Sequence, residues 1–149
     1  MAGSTMYAVK AQLLPLLQAN STLSSIQVSY GDPGEAMRRE SIFLGDVTSN
    51  THTPESFATG RRRRLEAYSL DVEVFVQSKA AGQQEAEQRA LVLANAVEDV
   101  LADNSTLDDA VTGLMFVECS GLSMTTSEAG IDGPRIKVTV HVEVKARLG

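Results

Sequence analysis

Chemistry in this chain has few places to sit. Among 149 residues there are one cysteine and two histidines. Cys119 and His141 could meet on neighbouring strands as a thiol–imidazole pair. No third residue is suggested to orient the ring, and a lone cysteine in an inward or half-buried strand position is ordinarily a small hydrophobe. A single thiol also excludes an internal disulfide framework and any multi-cysteine zinc site. His52 falls in a polar stretch and reads as exposed. Asp103, Asp108 and Asp109 lie close in sequence, but their spacing matches no EF-hand loop and lacks its bidentate Glu and central Gly. Gly31-Asp32-Pro33-Gly34 has no Gly-Lys-Ser/Thr ending and no strand-to-helix setting, so it reads as a turn rather than a phosphate cradle. No catalytic motif emerges, and no cofactor or metal is expected.

Charge is the more informative signal. Lys plus Arg is 13 and Asp plus Glu is 19, a net of −6. Four of the cations are consecutive, Arg61, Arg62, Arg63 and Arg64; outside that run the balance is 9 − 19 = −10. The run could be a nucleic-acid contact, a partner contact, a protease site or a solvated start to a strand. Four adjacent like charges repel one another, and an acidic surface opposite them lowers that cost. The opposite pole is the segment 85–132, with ten acidic residues and one basic one, Arg89. An acidic chain is a poor binder of nucleic acid, whose affinity rests on basic surface. The candidate interface residues are therefore Arg61, Arg62, Arg63, Arg64, Asp103, Asp108 and Asp109, set for contact between copies of the chain.

The elements that must position these residues follow from periodicity. Length and an ordinary apolar content, 43%, predict one domain over residues 1–149 with a core of its own. Residues 6–19 read as a helix with Val9, Leu13 and Leu17 on one face and Ser4 or Thr5 as N-cap; Pro15 predicts a kink or two short pieces. Residues 25–30 and 40–47 read as short strands. Residues 48–60 show no period; with the arginines they form an expected mobile loop over 48–64. The third strand alternates cleanly, with Leu70, Val72, Val74 and Val76 on one face and Asp71, Glu73 and Phe75 on the other, and could reach back through Tyr68. A second helix spans roughly 83–102 with Ala86, Ala90, Leu93, Val97 and Leu101 buried. Strands over 114–124 and 135–147 close the chain, joined as a hairpin through 128–134. The expected fold is α+β: a mainly antiparallel sheet of about five strands with two helices, in the order α-β-β-β-α-β-β. One sheet face is hard to cover with two helices, and long strands leave an unpaired edge. Edge and charge split together favour head-to-tail association, which closes into rings when the rotation allows.

No run approaches the length of a membrane span, and the apolar stretch 11–19 lacks a basic leader and is broken by Gln12, Pro15 and Gln18. A protein made and kept in a cytoplasm is expected.

The strings IQVSYGDPGEAMRRESIFLGDV, LDVEVFVQ, QQEAEQRALVLANAVEDVLA and IKVTVHVEVKARL, in that order, resemble the tail terminator (tail completion) proteins of long-tailed bacteriophages, especially those of actinobacterial hosts. The likeness lies in element order and soft strings such as LGDV and the terminal V-x-V-x-ARL; the segment 48–64 departs from it. The resemblance implies a non-enzymatic virion protein at the head–tail junction. Such proteins form a hexameric ring that caps the tail tube, ends its polymerisation and meets the neck or head connector. Partners would be further copies of the chain, the major tail tube protein and the connector, with DNA passing through the bore unbound. At −6 per copy, a six-membered ring would carry roughly −36, a charge that keeps DNA from sticking. Competing readings are a neck or stopper subunit of similar build, a small cytoplasmic binding domain and, last, an enzyme.

Overall fold

The computed structural model describes residues 3–54, 64–78, 82–127 and 133–149. Helix α1 spans Met6–Ala19 and helix α2 spans Gln83–Asp103. The strands are β1 (Gln27–Ser29), β2 (Glu40–Pro54), β3 (Arg64–Gln77), β4 (Leu114–Ser127) and β5 (Arg135–Leu148). They form one sheet in the order β1-β2-β3-β5-β4. All neighbours are antiparallel except β1, which runs parallel to β2. The α+β class and the element order are those expected from the sequence.

Alternation along the long strands decides which face is covered. In β3, Glu66, Tyr68, Leu70, Val72, Val74 and Val76 are buried; in β5, Ile136, Val138, Val140, Val142, Val144, Ala146 and Leu148 are. Register sets these side chains across from one another on one face. Val9, Leu13 and Leu17 of α1 and Ala90, Leu93, Ala94, Val97 and Leu101 of α2 complete the same core. The alanines of α2 bring its backbone close to the strands, while each buried leucine removes enough apolar surface from water to stabilise by about 1.5–3 kcal/mol. Among the described residues, no helix lies on the other face of the sheet.

Two expectations need correction. Thr48–Pro54 belong to β2, paired with β3 through Pro54 and Arg64, so this stretch is strand rather than loop. It escapes periodicity because its residues are exposed on both sides. Residues 55–63, with Arg61, Arg62 and Arg63, lie outside the described residues, as do 128–132 of the expected hairpin. Secondly, α1 runs through Pro15 as one helix rather than as two short pieces. Pro15 lies on the exposed side, in the last turns of the helix, where few backbone bonds depend on it.

Strand β4 is placed by two unusual backbone segments. Leu107, Asp108 and Asp109 all have positive φ, a left-handed turn after α2 that buries Leu107 and leaves both aspartates exposed. Gly113 follows at φ +85°, where an added Cβ would lie 2.2 Å from the carbonyl oxygen of Arg147. Only glycine fits there, and it lets β4 start against the end of β5.

Candidate interaction surfaces

Three surfaces stand out once the core is removed from view. They are the arm formed by the distal halves of β2 and β3, the open polar face of the sheet, and the edge along β4.

The arm is fastened at its base by a buried carboxylate. Glu66 falls on the core face of β3 and is 0% exposed. Its Oε1 accepts the Thr5 N–H at 2.8 Å and the Thr5 hydroxyl at 2.7 Å. Its Oε2 accepts the Ser4 hydroxyl at 2.5 Å and the Asn50 amide at 2.8 Å, with His52 Nε2 at 3.3 Å. Burial alone raises a carboxyl pKa; here the donors from Ser4, Thr5 and Asn50 outweigh it and hold Glu66 at about 2. The carboxylate sits at the start of α1, where helix dipole and free N–H groups favour an anion. The expected caps therefore work differently from the usual pattern. Thr5 occupies the N-cap position without capping locally and turns its hydroxyl to Glu66, while Ser4 Oγ accepts the Met6 N–H. Tyr68, beside them, shares a 3.0 Å hydrogen bond with Thr5 Oγ1. Burial, with the Glu66 charge adding to it, pushes the Tyr68 hydroxyl up to about 12. His52 in turn accepts from Arg64 at 3.3 Å on its Nδ1. Glu66 was not among the residues expected to matter, although parity carried the signal: extending the Leu70–Val76 series backwards puts Tyr68 and then Glu66 on the core face.

The open face carries polar rows across β3, β5 and β4. Ser69 donates to Glu143 at 3.1 Å, Thr139 donates to Glu73 at 2.8 Å, and Lys137 stands 3.6 Å from Glu73. In the middle, Asp71 lies 3.1 Å from His141 Nδ1, and His141 Nε2 lies 3.1 Å from the Ser123 hydroxyl. That is the order of groups in a serine-nucleophile relay, but not its setting. Ser123 is mid-strand, and the N–H groups of a sheet lie in its plane, so none points above the face to hold an oxyanion. The row is a hydrogen-bonded surface. Cys119 projects to the other side, towards Glu98 of α2 at 3.7 Å, so the Cys119–His141 pair considered above does not form. Burial, with Glu98 adding to it, pushes the Cys119 thiol up. Among the described residues no cluster of His, Cys, Asp and Glu could hold a metal ion. No described helix is long and apolar enough to cross a membrane.

The third surface is the outer edge of β4. Leu122 and Met124 sit opposite Val140 and Val138, on the face that elsewhere is core, yet each is 39% exposed. Leu91 of α2 falls between Glu87, which accepts from Thr126, and Glu98, and so adds to the same apolar strip. Lower on the edge, the Val117 N–H is taken by the Ser105 carbonyl at 2.8 Å. Beside it is a hollow of about 350 Å³ lined by Glu98, Ser105, Phe116 and Glu118 among others.

Of the residues singled out from sequence, Arg64 is on the arm, while Asp103, Asp108 and Asp109 are exposed between the end of α2 and the start of β4. Register puts both groups at one end of the sheet but near opposite edges: Arg64 is level with Leu148, and Leu114 with Ala146.

No known family model matches the chain, and no curated protein matches it. Among solved structures, the chain superposes on one from the virion of a native gene transfer agent (GTA) particle with a TM-score of 0.67. Identity is 14%, and the superposition covers 98% of this chain and 99% of the other. The two share a fold from end to end.

Proposed function

We propose that the chain is a structural protein of a phage-type virion and, within it, the tail terminator: a ring of identical copies at the head–tail junction that caps the tail tube. The observation that carries this reading is the end-to-end match of fold with a chain of a gene transfer agent virion, with almost no residue of either left over. The element order and strings that resemble tail terminators point the same way. So do the distinctive features of the described residues, which are edges and faces of the sheet. Termination on this reading is geometric. One side of the ring reproduces the docking surface of a tube subunit, and the other meets the neck connector instead of a further tube ring. The partners are other copies of this chain, the major tail tube protein and the connector; DNA crosses the bore without specific contacts.

Disrupting the gene in its phage tests the assignment. Abnormally long tails without heads are the expected outcome, seen by electron microscopy of lysates. Tails of normal length detached from heads would point to a neck or stopper subunit, and normal tails joined to heads would overturn both.

A further inference from the structure

We infer that the start of α1 and the distal half of β2 form a two-sided latch on Glu66. Seating of Ser4 and Thr5 sets the shape of the exposed strand, and a hold on that strand seats Ser4 and Thr5 in return. The device belongs to the fold and stands apart from the function proposed above.

The distal half of β2 needs such a hold because little else fixes it. Residues 48–54 are exposed throughout and bury no apolar side chain. Strand β1 pairs with β2 only from Ser41 to Phe43, so among the described residues 48–54 have a neighbouring strand on one side alone. Two one-residue bulges separate them from the regular part of the strand. From Leu44 to Val47 β2 advances three residues while β3 advances two, from Val72 to Leu70. From Thr48 to Thr51 it again advances three against the two from Ser69 to Ala67. Within the second bulge Ser49 takes a φ of +58°, a conformation uncommon for a residue other than glycine. A bent strand with few buried contacts belongs to the least stable part of a fold.

Helix α1 supplies a hold at both bulges. At the first, the Lys10 ammonium donates to the Gly45 carbonyl at 3.4 Å. At the second, Asn50 reaches Glu66, and the same carboxylate holds Ser4 and Thr5. The helix depends on this meeting as much as the strand does. Its first turn contains no acidic residue and Thr5 makes no side-chain cap, so Glu66 supplies the negative charge that the N-terminal N–H groups favour.

The carboxylate is what the two sides share. Its oxygens offer about four lone-pair positions. Thr5 donates twice to Oε1, while Ser4, Asn50 and His52 converge on Oε2. Glu66 is 0% exposed, so these hydrogen bonds act in a dry, low-dielectric setting that strengthens each of them. If Ser4 and Thr5 leave, water reaches the carboxylate, and the Asn50 amide must compete with it for the same acceptor. If residues 48–54 leave, the Thr5 hydrogen bonds weaken for the same reason. Loss of one side loosens the other, which is positive coupling, and thermodynamics makes it reciprocal. The remaining groups at the site do not oppose it. Arg64 meets His52 at 3.3 Å on the ring nitrogen turned away from Glu66, and Tyr68, which meets Thr5, stays a neutral phenol. A partner that captures either the Ser4–Thr5 turn or the distal half of β2 is therefore felt at the other.

Peptide-resolved hydrogen exchange on the full chain tests the coupling, at labelling times short enough that residues 138–142 of β5 stay protected and global unfolding contributes nothing. Ser4→Ala combined with Thr5→Val alters the helix side alone, and Asn50→Ala alters the strand side alone. The first should speed exchange within 46–54 by about fivefold or more, and the second should speed exchange within 4–9 by a like factor. Glu66→Gln should loosen both sides together. In that background Ser4→Ala with Thr5→Val should leave 46–54 no faster than Glu66→Gln alone does. Where the combined change leaves too little folded protein, Asn50→Ala with and without Glu66→Gln reads the same coupling at 4–9. Loosening confined to the altered side would overturn the latch, and so would a fivefold effect that persists in Glu66→Gln. Neither result touches the proposed function, which is read from tails and heads.

Discussion

Glu66 and Asp71 lie five residues apart on β3, and each touches a histidine, yet they do opposite work. Glu66 points into the core side, is 0% exposed, and collects donors from Ser4, Thr5 and Asn50. Asp71 points to the open face, with its side chain 26% exposed, in a row with His141 and Ser123. Odd separation on a strand is the whole cause, because it sends them to opposite faces. One carboxylate fastens three segments distant in sequence: the start of α1, the arm of β2, and β3. The other belongs to a surface that water can replace.

The largest expected effect breaks the first of these. Glu66→Ala removes the carboxylate that accepts from the buried Thr5 N–H and hydroxyl and from Ser4 and Asn50, a class of change that costs about 3–5 kcal/mol. Guanidinium unfolding should show it as a lower midpoint with an unaltered slope. Asp71→Ala, measured beside it, should lose less than about 1 kcal/mol, since Asp71 and its partners are part-exposed and the donors it leaves behind can turn to water. Equal losses would show that burial is not what separates the two sites.

Acid sharpens the same contrast. The Glu66 carboxyl titrates at about 2 in the folded protein against an ordinary 4.5. A depressed folded pKa gives stability that is fully present above the unfolded value and is lost as pH falls from about 4.5 through about 2. A shift of that size corresponds to about 3 kcal/mol. Urea midpoints measured from pH 6 down to pH 2.5 should therefore drop, and the drop should be much shallower in Glu66→Gln. A parallel fall in both proteins would assign the acid sensitivity to other groups.

How far the sequence foretold these regions follows the same division. Where one face is core and the other is water, alternation is sharp, and β5, the proximal part of β3 and the buried stripe of α2 read correctly from residue types. The arm did not read as a strand. Thr48 to Pro54 are polar or small and exposed on both sides, with a bulge between Thr48 and Thr51, so they leave no period to detect. Glu66 was illegible for a different reason: a glutamate is an unexpected core residue, and only its donors, brought from 16 to 62 residues away, make the position tolerable. The charged residues chosen as an interface, Arg64 and Asp103, Asp108 and Asp109, were conspicuous by composition. What composition could not supply was their common height on the sheet, which depends on strand register.

The smallest effect is expected at the row that most resembles a catalytic site. Ser123, His141 and Asp71 are aligned by register, because Asp71 faces His141 on β3, and on β4 Gly121 faces it with Ser123 two residues further along, on the same side of the sheet. A relay of this kind needs more than alignment. It needs donors above the attacked carbonyl, and an exposed sheet face aims its side chains, not its N–H groups, in that direction. His141 is already 41% exposed, so water can take over either of its contacts. His141→Ala and Ser123→Ala should each change unfolding free energy by no more than about 0.5 kcal/mol. Hydrolysis of an activated aryl ester should proceed at the same slow rate in the unaltered protein and in Ser123→Ala. A rate that falls with the serine would mean that the open face supplies an oxyanion donor from another copy, and would move this row from surface to active site.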